Sequence, residues 1–231
     1  MNFLSKKHKE KVQMYVGSHL IGIMEEQEKR LGIRHFGIPK IAYDAPGWLS
    51  PFLAIFMVGS YNGDFNEIYL RHQKIIMPNR TLNNILPVIS PFSNMDAKAV
   101  LEHELAHFYA DKLSKSLGLG QWPRYGRSIE ENIIKKLVSE GIAEYFRITS
   151  KENKETKKLI DWTGAGIDVL ARAGAIDENI RNYGFHLVKP ILDVDVKEGI
   201  THFLKNMPNI EDLNNVPQYQ ANVAGYLAKS S

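Results

Sequence analysis

The chain has 231 residues, of which 44% are hydrophobic and 24% charged, and its formal net charge is +3. These values are typical of a globular protein and exclude a disordered chain, a collagen and a disulfide-stabilised miniprotein, while the small charge gives no reason to expect a nucleic-acid partner. Because the chain has no cysteine, any metal ion must be bound by His, Asp or Glu, and eight histidines are present.

We expect neither a signal peptide nor a membrane span. The N-terminus is basic, but residues 12–24 contain Gln13 and His19 and no apolar run followed by a cleavage site. The most apolar stretch, residues 49–58, contains Pro51 and is about half as long as the roughly twenty residues that a spanning helix needs. The sequence therefore predicts a soluble, cytoplasmic protein without a membrane partner.

The first part of the chain is predicted to contain a helix and a small sheet. The helix is expected at residues 12–31, ending near Gly32. Short apolar runs bounded by Pro and Gly predict strands at 38–43, 52–61, 65–70 and 75–77. The pair Asn62-Gly63 is typical of a tight hairpin, because both residues tolerate positive φ. We therefore expect a small antiparallel sheet over residues 38–78.

Two long helices are predicted next. Ser93, with Asp96 three residues later, resembles a capping box that opens a helix over residues 95–117. Gly118 is expected to be the residue just after the end of this helix. A second long helix is expected over residues 128–150, because its serine start is followed by two glutamates in the first turn.

The rest of the chain is predicted to form shorter helices. Breaks between them are expected near Gly174, Gly184, Pro190 and Pro208. The predicted fold class is α+β, as a single catalytic domain over residues 1–231. Residues 1–92 would form a lobe with a helix and a sheet, and residues 93–231 a mainly helical lobe with the metal-binding helices.

The first long helix contains the pattern H-E-x-x-H, formed by His103, Glu104 and His107. Residues four apart differ by about 40° around a helix axis, so both imidazoles project from one face and can bind one metal ion. This geometry suits zinc. Glu104 lies about 100° from His103 around the axis and can reach a water on the metal as a general base. Small residues beside the histidines would let another helix approach: Ala99, Ala106 and Ala110.

A catalytic zinc site needs a third protein ligand, and the second long helix offers two glutamates. Glu144 lies inside the apolar arc of this helix and Glu140 at its edge. A carboxylate that faces a core must be paired, protonated or bound to a metal. We expect Glu140 to be the zinc ligand, with Gly141 letting the helix of the histidines come close. Glu144 is expected to accept the N–H of a ligating imidazole, which would fix its tautomer.

Each of these interpretations has an ordinary structural alternative. The two histidines could be half-exposed residues of an amphipathic helix without a metal. Glu140 and Glu144 could pair with Lys or Arg at the helix surface. The histidines that stand alone in the sequence are more typical of surface or core positions than of ligands: His8, His19, His35, His72 and His202.

This set of residues resembles the gluzincin metallopeptidases, a zincin-like group in which H-E-x-x-H on one helix is completed by a glutamate in an E-x-x-x-[DE] element on a following helix. The matching residues are His103, Glu104, His107, Glu140 and Glu144. The resemblance covers about residues 50–150. It implies a small mixed sheet above the two helices and an antiparallel edge strand that receives an extended peptide, a role that the hairpin at 52–70 would fill.

The resemblance also implies a residue that stabilises the oxyanion of the reaction. Family members use a Tyr or His from a later helix, and the candidates here are Tyr183 and His186. The ordinary alternative is a packed tyrosine whose hydroxyl is satisfied. No G-x-M-E-N element, which captures a free amino terminus in related aminopeptidases, is present. This favours an endopeptidase or a peptidase of unknown cleavage preference.

Together these features predict a zinc metallopeptidase that acts on a peptide or protein substrate. Zn²⁺ bound by His103, His107 and Glu140 would lower the pKa of water, and Glu104 would take the proton during attack on the peptide carbonyl and pass it to the leaving amine. One alternative is a non-proteolytic metal-binding protein with a structural or partner-recognition role; another is a helical interaction protein without metal. The presence of Glu104 favours the enzyme, because a structural site needs no general base.

Overall fold

The structure, a computed structural model, describes residues 3–33, 36–47, 49, 59–71, 75–76, 95–124, 128–148 and 177–230. Within these ranges the helices are α1 (Phe3–Leu31), α2 (Ala97–Ser116), α3 (Ile129–Ile148), α4 (Asp177–Leu192), α5 (Val196–Lys205), α6 (Ile210–Asn214) and α7 (Val216–Ser230). The strands are β1 (Lys40–Ala42), β2 (Gly59–Asn62), β3 (Glu67–Leu70), β4 (Ile75–Ile76) and β5 (Met95–Asp96). The described chain is therefore mainly helical with a small mixed sheet, which agrees with the expected α+β class.

Helix α1 packs its apolar side against α2. Its buried residues recur every three or four positions, as in Val12, Val16 and Leu20, which places them on one side of the helix. The predicted end is confirmed, since Gly32 follows the helix with a φ of +61°. The predicted start near residue 12 is wrong: the preceding lysine-rich segment extends the helix to Phe3, and lysine is a good helix former.

The three-stranded sheet has the order β1-β3-β2. Strand β2 pairs antiparallel with β3, as the hairpin prediction requires, but β1 pairs parallel with β3, so the expected all-antiparallel sheet is wrong. The turn is also longer than a two-residue Asn62-Gly63 turn, because Asn62 pairs with Glu67 and the loop spans residues 63–66. The side chain of Asn62 accepts the backbone N–H of Asp64, and the positive φ lies at Asn66.

A second, two-stranded sheet immediately precedes α2. Strand β4 pairs in parallel with β5, so residues 95 and 96 are strand and α2 begins at Ala97, two residues later than predicted. The predicted end of α2 is confirmed. Gly118 has a φ of +74°, and the N–H of Leu119 donates to the carbonyl of Ser114 at 3.0 Å, which is a Schellman motif. The predicted cap Ser93 and residues 52–58 of the second strand lie outside the described residues.

Helices α3 and α4 cross at two glycines. A Cβ added at Gly184 would lie 2.2 Å from the carbonyl oxygen of Leu137, and one added at Gly141 would lie 2.3 Å from the backbone of Gly184. The expected helix breaks at Gly184 and Pro190 are therefore wrong, since α4 runs through both and uses the glycine for close packing. Gly141 was expected to let the helix of the histidines come close, and this is wrong. The helix that packs against Gly141 is α4.

Helix α2 lies in the middle of the hydrophobic core. Its buried Leu101, Leu105 and Phe108 belong to the same core as residues of α1, β3, α3, α4 and α5. Along α2 almost every residue from Ala97 to Ser114 is buried, whichever side it faces. His103 and His107 therefore belong to a helix that is buried along nearly its whole length. Among the described helices, none is long and apolar enough to cross a membrane.

Candidate metal centre

Helix α2 presents His103 and His107 together on the side that faces α3. Their Nε2 atoms lie 3.3 Å apart and the ring centroids 4.9 Å apart. His103 is buried and His107 half-buried. The four-residue spacing predicted this common face, and the structure brings the two rings into contact.

Glu140 on α3 completes the group. One carboxylate oxygen, Oε2, lies 3.3 Å from His103 Nε2, and the other, Oε1, lies 3.6 Å from His107 Nε2. Within the described part of the chain, the three side chains form a cluster whose possible ligand atoms all lie within 4.8 Å of one another. The predicted ligand set is therefore assembled from two helices that the core holds side by side.

The donor atoms of these residues lie close enough together to share a metal ion. With metal–ligand bonds of about 2.0–2.1 Å, two ligand atoms of a tetrahedron lie about 3.3–3.4 Å apart. The two Nε2 atoms are 3.3 Å apart, and the Glu140 distances of 3.3 Å to His103 and 3.6 Å to His107 are measured from different carboxylate oxygens. Two imidazole nitrogens and a carboxylate also have the donor chemistry that divalent transition metals bind. These three residues could therefore hold a metal ion.

The other ring nitrogen of each histidine faces a polar side chain of α3. His107 Nδ1 lies 3.1 Å from the hydroxyl of Ser139, within hydrogen-bond distance. His103 Nδ1 faces Glu144 Oε2 at 3.7 Å, an ion-pair distance longer than a direct hydrogen bond. Glu144 therefore lies opposite the imidazole that its expected role involves, and that role remains a prediction. Such partners orient ligating imidazoles in metalloproteins.

Both glutamates of α3 also contact an arginine. The buried Glu144 accepts two hydrogen bonds from Arg147, at 2.8 and 2.5 Å, on the same helix. Glu140 Oε2 lies 3.4 Å from Nε of Arg181 on α4. Pairing with arginine is the ordinary alternative for both glutamates, and the structure contains both pairs. The Glu144 pair is buried, at 1% exposure of Glu144, whereas the Glu140 pair is partly exposed, at 21% for Glu140 and 32% for Arg181.

Glu104 lies between α2 and the edge strand β2. A Cβ added at Gly59 would be 2.7 Å from Glu104 Oε1, so a larger residue at this point of the strand would require the Glu104 side chain to shift. The backbone of Tyr61 donates a hydrogen bond to the Glu104 carboxylate. The Tyr61 hydroxyl in turn donates to Asp111 on α2 at 2.8 Å, which anchors β2 on the helix one turn beyond His107. The candidate base is thus placed where strand β2 meets the helix of the candidate metal ligands.

The charges of the cluster are set by burial and by neighbouring ions. Burial acts to lower the pKa of both histidines. For His107 it lowers the pKa to about 4, whereas the neighbouring carboxylates of Glu140 and Glu144 raise the pKa of His103 to about 9. Burial raises the pKa of Glu104 to about 7. For Glu140 burial acts in the same direction, but the hydrogen bond and charge of His103 outweigh it and lower the pKa.

The two candidate oxyanion residues lie on α4, which also carries Arg181. Tyr183 is half-buried and packs against the core, and His186 is half-buried with its backbone carbonyl accepting a hydrogen bond from Gln220. The structure does not bring His186 into the group of Glu140 and the two histidines. Arg181 of α4 contacts this group through Glu140, and the oxyanion roles of Tyr183 and His186 remain predictions.

Sequence reasoning missed several residues of the site. Arg147 could have been found, because it lies three residues after Glu144 on the same helix face. Ser139 stands next to Glu140, but the sequence does not show that it faces His107. Gly59 and Arg181 have no local signal, since their roles arise from the approach of β2 and α4 to the site.

Comparisons with protein-family models, with curated proteins and with solved structures found no match for this chain. The site geometry is therefore the basis on which we infer the function.

Proposed function

We propose that the protein is a zinc-dependent metallopeptidase of the gluzincin kind. The observation that carries this proposal is the convergence of His103, His107 and Glu140, whose possible ligand atoms all lie within 4.8 Å of one another. A zinc ion there would polarise a peptide carbonyl and lower the pKa of water towards neutrality. Neither the two-histidine pattern nor the glutamate alone would support this conclusion.

The position of Glu104 supports hydrolysis as the reaction. Glu104 directly follows His103 in the sequence, and its carboxylate lies against Gly59 of strand β2. Burial raises its pKa to about 7 in the metal-free protein. A carboxylate in this position could accept a proton from water and return it to the leaving amine. A structural metal site has no use for such a group.

The sheet supports a peptide as the substrate. Strand β2 is at the edge of the order β1-β3-β2, antiparallel to β3, and it lies directly against Glu104. An extended peptide that pairs with a sheet edge would present successive carbonyls along it. In the zincin-like arrangement this edge places a scissile carbonyl beside the metal, and we propose that β2 has this role here.

The proposal is tested by comparing the parent protein with the Glu104→Gln variant. The variant keeps the size and polarity of the side chain but cannot accept the proton, so we expect it to bind zinc normally and to lose about 100-fold or more of its activity on a peptide library. Glu102→Gln is a matched control, because Glu102 is also a buried glutamate of α2 but pairs with Lys98. Its activity should stay within about twofold of the parent.

Two results would contradict the proposal. If the parent protein binds no zinc by elemental analysis, the metal centre is wrong. If zinc is bound but the parent and Glu104→Gln proteins leave every peptide intact, the chain is a non-proteolytic metal-binding protein, the alternative that the same cluster allows.

A further inference from the structure

Strand β2 runs along α2 and touches it at every second residue. A Cβ added at Gly59 would lie 2.7 Å from Glu104, and the Tyr61 hydroxyl donates to Asp111. Two positions further, a Cβ added at Gly63 would lie 3.0 Å from Oδ2 of Asp111. Two residues of a strand and four residues of a helix advance by similar lengths, about 6.6 and 6 Å. The strand can therefore follow the helix and present alternate residues to it.

Asp111 is the point of α2 to which the hairpin is attached. Its side chain is 0% exposed, and its carboxylate accepts three hydrogen bonds: from the Tyr61 hydroxyl at 2.8 Å, from Lys115 at 2.7 Å and from the backbone N–H of Trp122 at 2.9 Å. A fully buried carboxylate needs such donors, because an isolated buried charge is costly. Lys115 also donates to the carbonyl of Gly63 at 2.9 Å. Asp111 and Lys115 thus hold both β2 and the loop that follows it.

Tyr61 joins this attachment to Glu104. Its hydroxyl bonds to Asp111, while its backbone N–H donates to the carboxylate of Glu104, seven residues or about two turns earlier on the same helix. Between these two contacts, the tyrosine ring packs edge-on against Phe108, with the ring centroids 5.9 Å apart. A shift of Tyr61 along α2 would therefore displace a hydrogen-bond donor of Glu104.

We propose that Tyr61 and Asp111 are positioning residues for the candidate general base Glu104. The bond between the tyrosine hydroxyl and Asp111 fixes β2 on α2, and the backbone N–H of the fixed Tyr61 orients the Glu104 carboxylate. This inference rests on the proposed function, in which Glu104 must meet a water molecule in a defined geometry. A misplacement of about 1 Å in such a group can cost about 100-fold in rate.

The first measurement needs neither metal nor activity. Amide hydrogen exchange at residue 61 is followed by NMR in the parent, in Tyr61→Phe and in the control Tyr109→Phe. Tyr61→Phe removes the hydroxyl and keeps a ring against Phe108, and we expect exchange at residue 61 to be about 10- to 100-fold faster, since a hydrogen bond to a charged group is lost. Tyr109→Phe is matched, because its hydroxyl donates to Glu28 of α1 at 3.0 Å. It should leave exchange at residue 61 within about twofold of the parent.

The second measurement separates kcat from KM on a peptide that the zinc-loaded parent cleaves. In Tyr61→Phe we expect kcat to fall about tenfold and KM to change less than about threefold, because the base is misoriented while β2 keeps its pairing with β3. Tyr109→Phe also loses a buried hydrogen bond to a carboxylate, but it should keep both constants of the parent. A role of Tyr61 in stability alone would leave the kcat of the folded protein unchanged.

Two outcomes would overturn the inference. Unchanged exchange at residue 61 in Tyr61→Phe would refute the attachment of β2, whether or not the parent cleaves peptides. Faster exchange with an unchanged kcat would refute the positioning role and leave the peptidase intact. A zinc-loaded parent that cleaves no peptide would instead refute the proposed function and with it the catalytic part of the inference, and faster exchange in Tyr61→Phe would then support the attachment of β2 alone.

Discussion

At the scale of single residues, the two histidines of the candidate metal centre differ in charge although they lie in the same place. Burial disfavours the protonated form of both. Only His103 has a carboxylate opposite each ring nitrogen, Glu140 at Nε2 and Glu144 at Nδ1. Near pH 7 and without metal, His103 is therefore a charged imidazolium and His107 a neutral imidazole. The positive charge of protonated His103 lies between Glu140 and Glu144, where a bound metal ion would also place positive charge.

This difference predicts how zinc binding depends on pH. Because the pKa of His103 is about 9 in the metal-free protein, zinc must displace its proton at any lower pH. Zinc affinity should therefore increase about tenfold per pH unit between pH 7 and 8.5 and level off above about pH 9. Competition with a chelator at a series of pH values measures this, and calorimetry in two buffers counts the released proton. An affinity that is constant from pH 7 to 9 would show that His103 binds no proton there.

At the scale of elements, the close crossing of α3 and α4 predicts the effect of one methyl group. Gly184→Ala puts a Cβ against the backbone of α3, which cannot move as a flexible side chain can. We expect a loss of about 1–3 kcal/mol in the free energy of unfolding, despite the better helix propensity of alanine. Gly22→Ala on α1 is the matched control, because no atom lies within 4 Å of the added Cβ, and it should be neutral or slightly stabilising.

Chemical denaturation of the two variants measures the difference. Equal stability of Gly184→Ala and Gly22→Ala would contradict the tight contact between α3 and α4. A destabilised Gly184→Ala protein that still folds should also bind zinc more weakly, because Arg181 and Glu140 lie within one turn of the crossing point.

The same crossing shows where prediction from the sequence succeeded and failed. Local signals were sufficient for the bounds of α3, the end of α2 at Gly118 and the common face of His103 and His107, since each depends on neighbours within one or two turns. Gly184 was misread as a helix break, because a glycine that admits another backbone has the same local appearance as one that ends a helix. The parallel pairing of β1 with β3 and the contact of Arg181 with Glu140 depend on contacts between distant segments.

At the scale of the whole molecule, the candidate ligands belong to the core as well as to the site. His103 and His107 are carried by α2, which is buried along nearly its whole length, and Glu140 by α3, which packs against it. Without metal, the ion pairs of His103, Glu140 and Arg181 hold these two helices and α4 together across a polar patch in an otherwise apolar region. A bound ion would connect α2 and α3 directly.

Zinc should therefore stabilise the entire fold. An ion that binds the native state and not the unfolded chain adds about 2.7 kcal/mol at a free concentration one hundred times its Kd. For a chain of this length that corresponds to a rise of roughly 5–10 °C in Tm. Scanning calorimetry with buffered zinc should show this rise in the parent and in Glu104→Gln, because Glu104 is not a ligand, and a much smaller one in Glu140→Gln. If zinc raised the Tm of Glu140→Gln as much as that of the parent, zinc would be binding elsewhere. The proposal that a metal ion at this cluster stabilises the core would then be wrong.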